Sequence, residues 1–199
     1  EKTQLDSSAQ KLPRGAMIVG GVALVVALLA GLVGGDYGMK RFFFGYTIAY
    51  AFVLSIALGA LFFVMIHHLT HAGWSVTVRR IAEIMSRQFG LLAVLFIPVL
   101  IGMFFFGLYK WTNPQDEIVE GKVIYLNEPF FILRFAFYFA VWIGLSRWYF
   151  KKSVWQDQID DPDASLSMQK FSGPGIIIFG ITLSFASFDL LMSLEPHWF

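Results

Sequence analysis

Five apolar stretches, at residues 16–34, 42–66, 89–109, 130–150 and 173–193, constrain this chain more than any other feature. Crossing roughly 30 Å of hydrocarbon takes about 20 helical residues at about 1.5 Å per residue, which each stretch supplies. Lipid offers no water to the backbone amides, so a span of this kind closes its hydrogen bonds within itself as a helix. The expected fold class is therefore all-α: a polytopic transmembrane helical bundle, with 1–199 forming a single membrane domain. No separate soluble domain fits between the stretches. Lys2, Lys11 and Arg14 precede the first stretch as in a signal peptide. That stretch, however, exceeds the about 7–15 residues of a signal core and lacks an Ala-x-Ala exit, so it reads as a retained helix.

Charge narrows the function classes. Only 15% of the residues are charged and the formal net charge is +1, which provides no field to gather a polyanion, so nucleic acid is not an expected partner. The chain has no cysteine, which excludes disulfides, thiolate metal sites, iron–sulfur ligation and covalent c-type haem on this chain.

Lysine and arginine resist transfer across a membrane, and their distribution orients the spans. One side carries Lys2, Lys11, Arg14, Arg79, Arg80, Arg87, Arg147, Lys151, Lys152 and Lys170, and these outnumber Lys40, Arg41, Lys110 and Lys122 on the other. The N-terminus is thus expected in the cytoplasm, with Glu195, Pro196 and His197 on the outer face.

Three connections carry a pattern. Around 74–88, Val78, Ile81, Met85 and Phe89 recur at helical spacing with Arg79, Arg80, Glu83 and Arg87 opposite, so a helix lying on the membrane surface is expected, a solvated loop being the alternative. Residues 110–128 read as an acidic outer loop, with turns at Asn113-Pro114 and Asn127-Glu128-Pro129. Residues 151–172 carry Asp157, Asp160, Asp161 and Asp163. A calcium loop also needs a central glycine and a closing glutamate, so a solvated loop is expected there.

Within the spans, Ala27, Gly31 and Gly35, then Ala51, Ser55 and Gly59, then Gly180 and Ser184 recur every four residues and let helices approach closely. Pro98 removes a backbone donor, frees the Val94 carbonyl and predicts a kink. Arg134 and Asp189 are the only charged residues in the interior of the spans, Arg147 lying at the basic inner end of the fourth. Each costs about 2.5–3.5 kcal/mol at the bilayer centre on insertion scales. Both lie roughly 6 Å inside the outer boundary at about 1.5 Å per residue. They are expected to face the bundle interior and to interact, directly or through water or a quinone, with Glu195 and His197 further out; a purely structural ion pair is the alternative. Tyr46 and Tyr50 share a helix face at the outer end of the second span and either extend that polar patch or belong to an aromatic belt.

At the inner end of the same span stand His67, His68 and His71. Imidazole titrates near neutrality, which suits proton uptake; an interfacial cap is the alternative. No metal site is expected, because no second carboxylate or cysteine accompanies the cluster. A bis-histidine haem needs ligands on facing helices at one depth, and His197 stands alone at the opposite face, which excludes a two-haem cytochrome b.

Two motifs then carry a resemblance. The run from His67-His68-Leu69-Thr70-His71 through Ala72-Gly73-Trp74-Ser75-Val76, with Arg79-Arg80 and Glu83, and the segment Phe188-Asp189-Leu190-Leu191-Met192-Ser193-Leu194-Glu195-Pro196-His197-Trp198-Phe199 resemble the ActF subunits of bacterial alternative complex III. Those subunits are similar to the NrfD/PsrC membrane anchors of polysulfide reductases, with about ten helices built around four-helix bundles. The resemblance covers all five spans and about half of a family member. It implies a subunit of a quinol:cytochrome c, or quinol:oxidase, electron-transfer complex, with no redox cofactor bound by this chain and with iron–sulfur clusters and c-type haems on partner subunits. The implied partners are an ActC-like sister membrane subunit, iron–sulfur and multihaem c-type subunits, lipids and the quinol pool. It further implies a proton path from His67, His68 and His71 to Asp189, Glu195 and His197, with Arg134 and Tyr46 nearby. No residue is assigned as catalytic. Two rivals stand beside it: half of a secondary transporter, which would place paired interrupted helices and polar groups near the midplane, or a purely structural anchor.

Overall fold

In a computed structural model describing residues 7–70, 72, 76–113, 117–159 and 162–198, the chain is an all-α helical bundle with no strand among the described residues. Its helices are α1 (Ser7–Val33), α2 (Gly35–Leu69), α3 (Val76–Ser86), α4 (Phe89–Leu95), α5 (Ile97–Phe106), α6 (Glu117–Glu120), α7 (Glu128–Ile159) and α8 (Pro162–Leu190). Five segments are long and apolar enough to cross a membrane: Leu12–Val33, Gly35–Leu69, Val78–Phe106, Glu128–Asp157 and Ser165–Leu194. The protein is a multi-pass membrane bundle.

The connections are tighter than the sequence suggests. α1 gives way to α2 at Gly34 and Gly35, the latter at φ 61°, a conformation open to glycine. Asp36, Lys40 and Arg41, which lie between the first two apolar stretches, ride on the first turns of α2. Residues 151–172, expected as a solvated loop, are mostly helix, because α7 runs on to Ile159 and α8 begins at Pro162, both beyond the apolar core. Asp160 and Asp161 lie outside the described residues, as does Pro114 of the outer loop. Asn127 caps α7, its Oδ1 accepting the Phe130 amide at 3.0 Å.

Lipid tails are as apolar as leucine, so burying a helix face here is governed by packing and polar contacts. The buried side of α2 repeats every seven residues, through Phe43, Tyr50, Ala57 and Val64, and through Thr47, Leu54, Leu61 and His68. That repeat marks a left-handed, coiled-coil-like seam. α8 shows the same spacing in Ser172, Phe179 and Ala186, and in the buried pair Thr182 and Asp189. α1 stands apart: its described side chains are exposed except Gly31.

At Pro98 the helix of the third span is interrupted, as the expected kink requires: α4 ends at Leu95 and α5 begins at Ile97. Tyr46 donates its hydroxyl to the Leu95 carbonyl at 2.7 Å, and Tyr50 donates to that of Leu92 at 3.1 Å. Both tyrosines thus supply donors that the broken helix lacks. Gly102 lets α5 lie against Phe43, where a Cβ would stand 2.9 Å from the Phe43 Cβ.

α3 forms a helix over Val76–Ser86, within the 74–88 stretch read as helical, of which 74 and 75 lie outside the described residues. Its charged side turns inward: Glu83 is 1% exposed, held by Arg80 at 3.0 Å and Arg79 at 3.6 Å, and Arg80 reaches on to Asp157 of α7. Val78, Ile81 and Ile84 are exposed instead. In a membrane bundle the polar side finds its partners inside and the apolar side meets lipid, the reverse of the amphipathic rule for a helix on a soluble core.

Candidate functional site

The site begins with Asp189, on the last turn of α8 and 0% exposed. A lone carboxylate there would be costly, and two side chains answer it with three hydrogen bonds. Arg134 of α7 donates through Nε to Oδ2 at 2.8 Å and through Nη2 to Oδ1 at 2.8 Å, a bidentate pairing of the strong, planar kind. Tyr138, one turn along α7, donates to Oδ2 at 2.8 Å. Ser193 donates to the Asp189 backbone carbonyl. The remaining guanidinium edge, Nη1, donates to the Tyr125 carbonyl at 2.8 Å, while the rings of Tyr125 and Phe130 lie 3.9 and 4.4 Å from the Arg134 Cζ. The cation is therefore enclosed by a carboxylate, a carbonyl and two π-faces.

Tyr125 connects this cluster to the surface. Its hydroxyl is buried and has no hydrogen-bond partner among the described residues. Burial, then the Asp189 charge, push its pKa up to about 12. With Lys122, Phe185, Phe188 and Met192 it lines a groove of about 480 Å³ opening between the outer loop and α8. The Tyr125 ring both lines that groove and lies over the Arg134 guanidinium.

The Glu195 carboxylate makes its ion pair with Lys110 and not with Arg134. After Leu190 the chain leaves the helix through 3₁₀ turns at Met192–Leu194 and Pro196–Trp198. Glu195 there pairs with Lys110, and its Oε1 lies 2.9 Å from His197 Nδ1. The Lys110 ammonium, then the His197 ring, hold the Glu195 carboxyl below its ordinary range. Tyr46 likewise belongs to the Pro98 break and not to the Arg134 cluster.

At the opposite end, His67 Nδ1 lies 2.7 Å from the Phe63 carbonyl oxygen. A carbonyl only accepts, so Nδ1 carries the hydrogen. His68 is 6% exposed and stacks on Tyr149 with ring centroids 5.5 Å apart; His71 lies outside the described residues. The Tyr149 hydroxyl is 2.8 Å from Ser172 Oγ. Between the two ends, Trp142 donates to Thr182 Oγ1 at 3.0 Å. The α7–α8 seam thus carries polar contacts at three levels, spread over roughly 25 Å of α8 at about 1.5 Å per residue. They do not form a continuous wire, because an indole N–H donates and cannot accept.

Sequence reasoning singled out Arg134 and Asp189 and missed Tyr125, Tyr138, Trp142, Tyr149, Ser172 and Thr182. A signal for one of them was available: Thr182 and Asp189 are seven apart in the sequence, which puts Thr182 on the face of the intramembrane carboxylate. No protein-family model matches this chain, and no curated protein is similar to it at a significant level.

Proposed function

We propose that this chain is an integral membrane subunit of a respiratory quinol:cytochrome c, or quinol:oxidase, electron-transfer complex, of the kind formed by the ActF-type subunits it resembles. It binds no redox metal of its own. Iron–sulfur clusters and c-type haems belong to partner subunits, beside an ActC-like sister. The membrane is the bacterial inner membrane, with the N-terminus cytoplasmic on the strength of the lysine and arginine distribution.

The observation that carries this reading is the buried Arg134, Asp189 and Tyr138 cluster beside an apolar groove at one end of the bundle. An ionisable group inside a membrane is by default a functional candidate. Here Asp189 and the Tyr138 hydroxyl are the groups that exchange protons, and the groove along Tyr125, Phe185 and Phe188 is flat and aromatic enough for a quinone ring. His67, His68, Tyr149 and Ser172 supply the opposite half-path, His71 standing beside them in sequence. Trp142 and Thr182 interrupt the middle, so protons pass between the half-paths through water.

A second reading, the structural anchor, is favoured by the completeness of the pair: both Asp189 oxygens and all three guanidinium nitrogens are engaged. Quinol turnover and proton release in proteoliposomes, measured on the assembled complex with Asp189→Asn, separate the two. Lost proton translocation with electron transfer kept supports the half-path, and loss of both supports a quinone-facing site. Unchanged function in an assembled complex leaves the anchor.

A further inference from the structure

The α7–α8 hairpin carries a feature that the proton path does not use. Hydrogen bonds from Gln156 to Ser165 at 2.6 Å and between Tyr149 and Ser172 at 2.8 Å fix the antiparallel register of the two helices. In that register Lys151 stands level with Lys170, and Arg147 level with Pro174. Lys170 is the last charged residue on α8 before Asp189, and Arg147 the first on α7 after Arg134. The exposed Arg147, Lys151 and Lys170 therefore mark one edge of the uncharged band, where a bilayer places its phosphates.

At that edge lies an open groove of about 570 Å³, lined by Trp148 of α7 and by Leu166, Ser167, Lys170, Phe171 and Pro174 of α8. Its polar end holds an ammonium and a hydroxyl, and no acidic residue lines it. The rest is apolar: the Trp148 and Phe171 rings lie 4.2 Å apart as one wall, and exposed Ile177 and Ile178 continue the path toward the middle of the membrane. Pro174, inside α8, has no amide to offer the Lys170 carbonyl four residues back, so a headgroup hydroxyl can donate there.

We propose that this groove is a binding site for one anionic phospholipid, its phosphate held by Lys170 and Ser167 and an acyl chain lying along Phe171 and Pro174. Charge selects the occupant: the groove offers a cation and a hydroxyl at its polar end and hydrocarbon along its length, the order in which a phospholipid presents its own parts. One lysine near a membrane surface contributes about 1 kcal/mol toward anionic lipid, about fivefold in affinity.

Native mass spectrometry of the detergent-solubilised protein titrated with dimyristoyl phosphatidylglycerol or phosphatidylcholine tests the site. The expected result is one phosphatidylglycerol bound in preference to phosphatidylcholine. Lys170→Gln should lower that preference about fivefold, and Lys170→Arg and Lys40→Gln should keep it. A brominated-chain phosphatidylglycerol should quench tryptophan fluorescence less in Trp148→Phe than in the parent, a readout independent of charge. Circular dichroism identical to the parent excludes misfolding. The proposal is overturned by an absence of preference in the parent protein, by an unchanged preference in Lys170→Gln, or by an equal fall in Lys40→Gln.

Discussion

Arg134 and Asp189 meet edge to edge across the α7–α8 seam, with both contacts at 2.8 Å and the carboxylate fully buried. Such a pair is asymmetric in its energetics. Each member needs the other far more than the fold needs the pair, because a single remaining charge has no compensation.

Removing one partner is therefore expected to cost more than removing both. Asp189→Leu or Arg134→Leu alone should destabilise the bundle by about 3–5 kcal/mol, and the double substitution by clearly less than the sum. Reversible unfolding in mixed micelles, followed by circular dichroism, measures the cycle. Additive single effects would show that the two side chains do not act as a unit.

Tyr46 and Tyr50 supply donors to the Leu95 and Leu92 carbonyls beside the Pro98 break. Replacing either by phenylalanine keeps the ring and deletes the donor. Each change should cost about 0.5–1.5 kcal/mol, within the range found for buried hydrogen bonds. In a Pro98→Ala background the α4–α5 ladder can close on itself, and the cost of Tyr46→Phe should shrink. Unfolding measurements on the four-member cycle check this, and an unchanged cost would detach Tyr46 from the break.

Two glycines should respond oppositely to the same substitution. A Cβ at Gly102 stands 2.9 Å from the Phe43 Cβ, so Gly102→Ala should force α5 away from α2 and cost about 1–3 kcal/mol. Around Gly20 nothing lies within 4 Å, so Gly20→Ala should be neutral or gain up to about 1 kcal/mol from helix propensity. Melting temperatures of the two variants in one detergent give the comparison.

The outer turn should depend on pH with a definite sign. The Glu195 carboxyl is held below its ordinary 4.5 by Lys110 first and by His197 second. A lowered carboxyl pKa contributes stability that is present above the ordinary value and lost as pH falls through the lowered one. Hydrogen exchange of the Met192–Trp198 turns should accelerate below that point, and Lys110→Gln should move the onset upward. The effect should weaken in high salt, because the pair is exposed.

Much of the membrane architecture could be read before any coordinates. Apolar length set the five spans, since hydrocarbon thickness and the rise per residue leave little choice. Helix ends were harder to read. α7 and α8 extend well past their apolar cores, because Lys151, Lys152, Gln156 and Asp157 are compatible with helix outside the lipid as readily as with loop. The identity of Arg134 and Asp189 as unusual residues was legible, because charge inside an apolar run is conspicuous. Their aromatic surroundings were not, since Tyr125, Tyr138 and Phe130 look like ordinary members of a chain with 22 phenylalanines and 7 tyrosines.

The sequence by itself determined the number of spans, the all-α class and the matching depth of the one charged pair, because these follow from hydrophobic length and helical rise. Only the tertiary structure decided which way each helix faces. It turned Glu83 inward and Ile81 outward, committed Tyr46 to the Pro98 break, and sent Glu195 to Lys110 instead of to Arg134. In lipid, apolar side chains are at home on either side of a helix, so hydrophobic periodicity carries little information about the interior. What fixes the inward face is the local supply of partners for polar groups, and that supply exists only once the helices have met.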